Sequence, residues 1–412
     1  MKTKILLVGP VLTRSGYGEQ ARFALRALAS RQDLFELYVQ PLRWGDTSWV
    51  SDQDEEFTWI NNLIGKTVGY IQQGGQFDVS LQVTIPNEWK KAAPINIGYT
   101  AGIETNKTHH TWIQAVNQMD QVIVVSNHAK NVFVSTSYTG IDEETNAEIN
   151  LTTSGENISV VNYPVKNFDN AEEIQLGLKT DINFLSVAQW GPRKNMDNMI
   201  HWFVQEFQNE DVGLVLKTNR AKNCLMDREA CEGMLQGIMS AHKDAKCKVY
   251  LLHGDMTDEE MHALYKNQQI SAFVGIPHGE GFGLPFFEAA YSGLPVVATG
   301  WSGQLDFLVD QNGQDRFYNV AFDIGLIGDD SVWDGILIKE SAWAYARETS
   351  YKENLRKCYE DIKSEKTLDA TEYAEELKER FSAENMYAKF VESMNLQIDT
   401  EWAESLSQIE IL

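Results

Sequence analysis

Residues 278–300 of this chain read HGEGFGLPFFEAAYSGLPVVATG, and this stretch decides how the chain folds. The apolar run SAFVGI (271–276) before it predicts a buried strand, and LPVVATG (294–300) at its end predicts another. Between them, three glycines at alternate positions from 279 to 283 favour a tight turn. Pro285 then stands in the first turn of a helix, where proline is best tolerated. The stretch therefore predicts a strand–turn–helix–strand unit, which is typical of a parallel sheet in an α/β protein.

The same turn offers a place for a phosphorylated ligand. A glycine-rich strand-to-helix turn presents backbone N–H groups and the positive end of a helix dipole, which together favour a diphosphate. Glu280 lies in the turn and Glu288 in the second helical turn, and each carboxylate can accept two hydrogen bonds from a vicinal diol. Either glutamate alone is better explained as a solvated side chain near a helix start. The whole constellation favours a diphosphate with a ribose on one side and a sugar on the other.

Alternating strand and helix patterns extend outward from this unit through both halves of the chain. In the first half, strands are expected at 4–9, 35–39, 77–83, 95–100 and 121–125, with helices between them. In the second half they are expected at 182–187, 212–217 and 248–254, besides the two that flank the glycine turn. Thr257 and Glu260 have the spacing of a capping box and predict the start of a helix. The pattern predicts two Rossmann-like α/β units in series.

The domain boundaries follow from composition. We expect a first domain over residues 1–168, a second over 178–345, and C-terminal helices over 346–412 that cross back to the first domain. Residues 141–158 are polar and acidic and predict an inserted surface loop. The tail from about 340 is rich in Glu, Lys and Ala, and its pattern predicts helices without strands.

The Glu-x7-Glu spacing within EGFGLPFFEA (280–289) resembles the signature of retaining family-4 glycosyltransferases of the GT-B class. The resemblance covers nearly the whole chain in order: an early glycine turn, a central linker, this motif and a helical tail. It implies two Rossmann-like domains facing a cleft, and a nucleotide-diphosphate sugar as the donor. By the same resemblance Glu280 would contact the transferred sugar and Glu288 the ribose. The other donor-binding residues implied near this motif are Gly281, Phe282, Gly283, Leu284, Ser302 and Gly303.

A basic element precedes the motif in AQWGPRKN (188–195). Members of the resembled family place an arginine and a lysine here to neutralise the departing diphosphate. Lys194 matches the lysine, but Gln189 occupies the position of the arginine. Arg193 and Lys217 are the candidates to replace it. An Arg-Lys pair at a helix start is unfavourable to the helix dipole, so an anionic ligand explains it better than a bare surface does.

The first half supplies further candidates. Gly16 and Gly18, between a strand and a helix, match the family loop that approaches the diphosphate and acceptor. GYTAGIETNKTHHTW (98–112) falls where the family lines the acceptor side, with Glu104 and the pair His109 and His110 as possible occupants. A histidine on a helix is more often packed or solvated than catalytic. We name no nucleophile, because electrostatic stabilisation of the leaving diphosphate is expected to be the main contribution.

Several other classes are disfavoured. The early turn lacks the full GxGxxG pattern and its following acidic residue, which argues against a dinucleotide dehydrogenase. The DxD at 52–54 opens a polar helical stretch and is better explained as an acidic helix start, so no metal is predicted as a cofactor. No apolar window is long enough to predict a membrane span. The four cysteines form no CxxC pair and indicate reduced thiols, as in a cytoplasmic protein.

The acceptor is less well determined by the sequence. SGYGEQARFALRAL (15–28), NEWKKAAPINIGYTAGIET (87–105) and QWGPRKN (189–195) are similar in texture to glycosyltransferases of large tailed bacteriophages. Such phages often glycosylate hydroxymethylated pyrimidines in their DNA. The similarity therefore implies a hydroxymethylated pyrimidine as the acceptor and the host cytoplasm as the location of the protein. The formal charge of −24 disfavours nucleic acid in general. Residues 1–166, however, hold 13 Lys and Arg against 17 Asp and Glu, a net of only −4.

Three alternatives stay open. A polysaccharide or cell-surface glycan is the rival acceptor, and a membrane-docking version would normally show a strongly basic amphipathic helix near the N-terminus. A nucleotide-sugar epimerase would convert the donor with no acceptor present. A non-catalytic nucleotide-sugar binding protein would bind the donor and release no nucleotide. The sequence leaves the donor base, the sugar and the oligomeric state undetermined.

Overall fold

A computed structural model describes residues 2–45, 47–50, 54–141, 148–168 and 171–397, and in it the chain divides into two α/β units. The first unit comprises Met1–Gly102, Thr108–Pro164 and the described part of Ala383–Leu412. The second comprises Ile103–Lys107 and Val165–Ser382. Among the described residues, no helix has the length and apolar character needed to cross a membrane.

A six-stranded parallel sheet forms the centre of the first unit, in the order β2-β1-β3-β4-β5-β8. Its strands are β1 (Thr3–Gly9), β2 (Phe35–Pro41), β3 (Val79–Val83), β4 (Ile95–Thr100), β5 (Gln121–Val124) and β8 (Ile158–Val160). Its helices are α1 (Gly16–Ala29), α2 (Glu55–Gln72), α3 (His110–Gln118), α4 (Asn127–Ser135) and α12 (Ala383–Ser393). The aliphatic runs of β1 and β5 are mostly buried, and every residue of β3 is buried, as expected for strands covered on both faces.

Helix α12 packs on the first unit through aromatic contacts. The Phe390 ring lies 5.4 Å from that of Phe23 on α1 and 5.2 Å from that of Tyr99 on β4, both edge to face. Such pairs add specific stabilisation to the burial of the rings. The helix therefore closes the core beside α1.

The second unit repeats the architecture, with a parallel sheet in the order β11-β10-β9-β12-β13-β14. Its strands are β9 (Ile182–Gln189), β10 (Val212–Asn219), β11 (Lys248–Leu252), β12 (Ala272–Gly275), β13 (Val296–Thr299) and β14 (Tyr318–Val320). Its helices are α5 (Met196–Glu206), α6 (Leu225–Met239), α7 (Asp258–Tyr265), α8 (Leu284–Tyr291), α9 (Leu305–Leu308), α10 (Glu348–Lys363) and α11 (Ala370–Arg380). Thr257 and Glu260 form the predicted capping box of α7.

Two antiparallel hairpins depart from the sequence-based expectation. The predicted loop at 141–158 contains β7 (Glu148–Leu151), which pairs with β6 (Tyr138–Ile141). Most side chains of β6 and β7 are exposed, so no apolar alternation signals them in the sequence. In the tail predicted to be helical from about 340, β16 (Ala342–Ala346) pairs with β15 (Phe322–Leu326). Strand β16 is buried by tertiary packing, and its Trp343 is almost fully buried.

Candidate functional site

The turn between β12 and α8 depends on glycine at two positions. Gly283, the N-cap of α8, has φ of +94°, a conformation that L side chains rarely adopt. Gly279 has no such φ, but a Cβ atom there would lie 2.0 Å from the carbonyl oxygen of Glu104. Pro285 occupies the first turn of α8, as its position in the sequence predicts. The backbone therefore passes close to a neighbouring segment and then enters the helix without strain.

Four charged residues meet at this turn, and we call Glu104, Arg193, Lys194 and Glu280 the ion quartet. The Lys194 ammonium lies 2.5 Å from Oε1 of Glu280, and Nη1 of Arg193 lies 3.2 Å from Oε2. Nη1 of Arg193 also donates to the carbonyl of Gly279 at 2.7 Å. On its other side, Nη2 of Arg193 lies 3.6 Å from Oε1 of Glu104. The quartet contains two positive and two negative groups, so its formal charge is zero.

The quartet is largely shielded from solvent, with side-chain exposures of 8% for Glu280, 16% for Lys194 and 28% for Arg193. Burial alone would raise the pKa of Glu280, but Lys194 and Arg193 hold that pKa below its ordinary value. Burial alone would lower the pKa of Arg193, but Glu104 and then Glu280 raise it. Burial and the neighbouring guanidinium lower the pKa of Lys194 despite Glu280. Glu280 is therefore a firmly ionised carboxylate held by two cations.

Backbone hydrogen bonds hold the quartet in place. Residues 192–194 form a short 3₁₀ turn after β9, and the amide of His278 donates to the carbonyl of Arg193 at 2.8 Å. The amide of Ala344 in β16 donates to the carbonyl of His278 at 2.9 Å. The start of the glycine turn is thus hydrogen-bonded on one side to the 3₁₀ turn and on the other to the hairpin strand β16.

A second turn, after β13, is hydrogen-bonded to the backbone of Glu280. The amide of Glu280 donates to Oγ of Ser302 at 2.9 Å, and the amide of Gly303 donates to the carbonyl of Glu280 at 3.0 Å. Ser302 has φ of +77° and its hydroxyl donates in turn to Gln304. The structure therefore brings Ser302 and Gly303, predicted from the sequence as donor-binding residues, onto the backbone of the motif glutamate.

The other motif residues differ in what their side chains do. Phe282 is buried, with its ring 5.2 Å from Phe287 and 4.9 Å from Phe307, so its side chain belongs to the core. Its predicted role toward a donor therefore rests on its backbone, as do those of Gly281, Gly283 and Leu284. Glu288 is half-buried on α8. Burial, followed by the charge of Glu288, raises the pKa of Tyr265.

Of the two candidates for the replacement of the family arginine, Arg193 contacts Glu280. Lys217, on β10, donates from Nζ to the carbonyl of Gly254 at 2.5 Å and so ties β10 to the turn after β11. Gln189, at the family position itself, donates from Nε2 to the carbonyl of Arg220 at 2.5 Å. The guanidinium that lies on Glu280 is therefore that of Arg193.

In the first unit, the two early glycines have different surroundings. Gly16 begins α1 and is exposed, and a Cβ there would meet no atom of the described residues within 4 Å beyond the adjacent backbone of α1. A Cβ on Gly18 would lie 2.0 Å from the carbonyl oxygen of Thr13. The amide of Gly18 donates to Oγ of Ser15, the N-cap of the helix. Gly18 is thus required by local packing, whereas Gly16 leaves the first turn of α1 open.

The remaining candidates of the first half are helix starts. His109 is the N-cap of α3 and its Nδ1 accepts from the amide of Thr111, while its ring lies 4.0 Å from that of His110. Asp54 is the N-cap of α2 and accepts from the amide of Phe57 at 2.7 Å, which is the acidic helix start expected from the DxD. Residues 52 and 53 of that motif lie outside the described residues.

Sequence reasoning missed two residues of the site. His278 is stacked on Trp343 at 4.9 Å, and its Nδ1 donates to the carbonyl of Ala344 at 2.7 Å. Its place directly before Gly279 and Glu280 in the motif was the available signal. Asn106 bonds the backbone of Ala342 in both directions. No local pattern signals that contact, because its partner lies in the missed strand β16.

One cluster outside the turn has the residue types of a metal site. Ligand atoms of Asp227, Cys231 and His253 lie within 4.8 Å of one another. The Asp227 carboxylate already accepts from the amides of residues 220–222 and from Nε2 of His253. Burial opposes the ionisation of Asp227, but these donors lower its pKa well below the ordinary value. The carboxylate therefore serves to organise the loop after β10.

Comparisons with known proteins bear on the fold and on the enzyme class. Residues 168–318 match the family described as Glycosyl transferases group 1. No curated protein matches the chain in sequence. Among solved structures, the chain is similar to a glycosyltransferase from Rickettsia africae ESF-5, with 12% identity and a TM-score of 0.59 over 98% of this chain and 99% of that one.

Two further structures of similar fold contain nucleotides. Anabaena Alr3699/HepE, in complex with UDP and glucose, has 13% identity and a TM-score of 0.55 over 95% of this chain and 99% of that one. The catalytic domain of starch synthase IV from Arabidopsis thaliana, bound to ADP and acarbose, has 12% identity and a TM-score of 0.56 over 96% and 100%. The structural likeness confirms the predicted GT-B fold, and the family match confirms the predicted enzyme class, a glycosyltransferase.

Proposed function

We propose that this glycosyltransferase binds a nucleoside diphosphate sugar at the turn between β12 and α8 and transfers the sugar, with retention, to an acceptor hydroxyl. The observation that supports the proposal most directly is the pair of cations on Glu280. Arg193 and Lys194 are held side by side and shielded from solvent, where a charge interaction is stronger than in water. Two cations beside the first turn of a helix suit a diphosphate.

Each residue then has a role in the transfer. Glu280 lies at the sugar, and Glu288 accepts from the ribose hydroxyls. The amides of residues 281–284 face the sugar and diphosphate. Arg193 and Lys194 stabilise the negative charge that grows on the diphosphate as it leaves, a preorganised electrostatic contribution. Gly16 and Gly18, at the start of α1, and Lys217 remain proposed donor contacts from the resemblance.

The proposed step is a substitution at the anomeric carbon. The bond between that carbon and the diphosphate oxygen breaks, and the electron pair leaves on the diphosphate. The acceptor oxygen forms the new bond from the same face of the sugar, and its proton passes to the departing oxygen. No metal is assigned a role, because the two side-chain cations supply the positive charge at the diphosphate.

For the acceptor we propose a hydroxymethylated pyrimidine in DNA. The support is the similarity of residues 15–28, 87–105 and 189–195 to tailed-phage glycosyltransferases, together with the near-neutral charge of residues 1–166. A glycan is the second candidate, and the net charge of −24 favours it, since a strongly acidic protein repels a polyanion over long distances.

A donor panel tests both parts of the proposal. UDP-, ADP-, GDP- and TDP-linked sugars are incubated with hydroxymethylated DNA, unmodified DNA and glycans, with and without EDTA. Nucleotide release and product mass are recorded, and the anomeric configuration of the product is determined by NMR. We expect transfer to hydroxymethylated DNA alone, with retention and without loss in EDTA. Transfer to glycans alone would overturn the proposed acceptor, and an inverted product would overturn retention.

The Glu288→Ala variant tests the assignment of the donor site. It should abolish both donor hydrolysis and transfer, because the ribose loses its acceptor. The exposed Glu229 on α6 provides the matched control, since Glu229→Ala removes the same side chain elsewhere in the unit. Full activity in Glu288→Ala would refute the site.

A further inference from the structure

A five-residue segment leaves the first unit after Gly102 and returns to it at Thr108, and we call Ile103–Lys107 the strap. By its contacts the strap belongs to the second unit. Ile103 and Thr105 are buried, at 2% and 3% exposure, so the strap is packed at both of these positions. The residue between them is Glu104, a member of the ion quartet.

Asn106 fastens the strap to the hairpin strand β16. Its amide donates to the carbonyl of Ala342 at 2.9 Å, and its Oδ1 accepts from the amide of Ala342 at 2.7 Å. These two hydrogen bonds satisfy both backbone groups of Ala342 and fix the position of the strap along β16. The contact also accounts for an asparagine here, because an aliphatic side chain would leave the Ala342 amide without this acceptor.

The strap lies directly on the glycine turn. The carbonyl oxygen of Glu104 occupies the space where a Cβ of residue 279 would be, 2.0 Å from that position. The carboxylate of the same residue reaches Arg193, whose Nη1 is bonded to the carbonyl of Gly279. One residue of the strap thus touches the turn with its backbone and the guanidinium with its side chain.

Arg193 is held from both sides as a result. Glu280 fixes one guanidinium nitrogen at 3.2 Å, and Glu104 lies 3.6 Å from the other. Without Glu104, the remaining three members of the quartet would carry a formal charge of +1. A group of that charge binds a nucleoside diphosphate more tightly than the neutral quartet does, and it releases it more slowly.

We propose that Glu104 is a positioning residue that aims Arg193 at the donor diphosphate and, by cancelling one positive charge, allows the nucleoside diphosphate product to leave. This inference rests on the proposed function and deepens it. It also accounts for Gln189 at the position where the resembled family has an arginine. Arg193 supplies the guanidinium instead, and Glu104 of the strap is the partner that keeps Arg193 in place. Asn106 is the second positioning residue, acting through the strap.

The test compares product affinity with turnover. Glu104→Gln, Glu104→Asp, Asn106→Ala and the surface control Glu229→Gln are titrated calorimetrically with UDP, ADP, GDP and inorganic pyrophosphate. Donor turnover and melting temperature are measured on the same samples. Glu104→Gln should bind the preferred diphosphate about tenfold more tightly and lower kcat about tenfold or more. Its melting temperature should change little, because the side chain keeps its size.

The other variants separate charge from position. Glu104→Asp keeps the charge on a shorter side chain, so it should restore wild-type product affinity while kcat stays reduced. Asn106→Ala leaves the charges intact and should lower kcat by loosening the strap. Glu229→Gln should match the wild type in every measurement.

The two possible failures are distinguishable. If the wild type binds none of the four probes, the proposed donor site is wrong and this inference falls with it. If the wild type binds a diphosphate but Glu104→Gln shows unchanged affinity and kcat, only the role of Glu104 is refuted. A loss of kcat that merely follows a fall in melting temperature would also refute it, because that is the behaviour of a packing residue.

Discussion

Lys194 places its ammonium 2.5 Å from the carboxylate of Glu280, although the two residues belong to different turns at the ends of different strands. Lys194 follows β9, and Glu280 follows β12, its immediate neighbour in the sheet. In a parallel sheet the carboxyl ends of adjacent strands lie at one edge, and ligand sites in α/β proteins form there. The contact is therefore a direct product of the strand order, and it sets the charge of the candidate site.

Replacement of Glu280 by glutamine should separate binding from catalysis. The variant keeps the size of the side chain but leaves Arg193 and Lys194 with an excess of positive charge. We expect transfer to fall at least about a hundredfold, as for the loss of a preorganised charge contact, while the affinity for nucleoside diphosphate rises. Calorimetry and nucleotide release measure the two effects. Wild-type turnover in Glu280→Gln would show that this carboxylate is structural.

Lys194→Met should reduce kcat more than it reduces stability. Glu280 retains Arg193 as a partner in this variant, so the buried carboxylate is not left without a cation. The departing diphosphate, however, loses one of its two stabilising charges, which predicts a fall in kcat of about 100- to 1000-fold. Lys248→Met, an exposed position at the start of β11, is the control. A rise in KM with kcat unchanged would mean that Lys194 assists binding alone.

Gly279→Ala tests the contact between the glycine turn and the strap. The new Cβ would meet the carbonyl of Glu104 at 2.0 Å and the Trp301 ring at 2.8 Å, so backbone must move. Such overpacking costs about 1–3 kcal/mol, which lowers the melting temperature by about 2–4 °C per kcal/mol in a domain of this size. Kinetic assays should show a parallel loss of kcat as Glu104 leaves Arg193.

The control for this substitution is Gly233→Ala in α6, where a Cβ would meet no atom of the described residues within 4 Å apart from the nearby backbone of its own helix. Alanine is the better helix former, so this variant should be stabilised by about 0.4–1 kcal/mol. Equal melting temperatures for Gly279→Ala and the wild type would contradict the close approach of the strap.

The parallel strands of the fold could be predicted from the sequence because both faces of each sheet are covered. The aliphatic run of β1 is continuous and β9 is mostly apolar, and the period of apolar residues in the following segments changes to that of helices. The hairpin strand β16 could not be predicted in this way. It pairs with β15, and its Trp343 stacks on His278, a tertiary contact that no local pattern reports.

The same distinction holds at the site. The glycine turn, Glu288 and the spacing of Gln189 and Lys194 are local, so the motif was recognisable. The contact of Glu104 with Arg193 joins residues whose proximity depends on the strap lying on the second unit, a property of the folded chain. The sequence pattern therefore indicates Glu104 only as an acceptor-side candidate, whereas the structure places its carboxylate on a guanidinium.

His278 should make the stability of the protein dependent on pH just below neutrality. Burial and the charge of Arg193 lower the pKa of its imidazole below 6.5, although the hydrogen bond to Ala344 opposes this. Between the lowered folded pKa and 6.5, His278 therefore binds a proton in the unfolded chain but not in the folded protein. Stability contributed by neutral His278 is complete above about pH 6.5 and is lost as the pH falls from there toward the lower folded pKa.

Chemical unfolding between pH 5 and 6.5 measures this effect, because the lowered pKa of Glu280 makes its own contribution only below its ordinary value of 4.5. His242 is a second histidine in this window, since burial and then His201 lower its pKa. His278→Asn should reduce the slope of unfolding free energy against pH by up to about 1.4 kcal/mol per unit, the value for one proton. His242→Asn serves as the comparison, and adding it to His278→Asn should flatten the curve further. An unchanged slope in His278→Asn would mean that the imidazole accepts its proton in the folded protein as readily as in the unfolded chain.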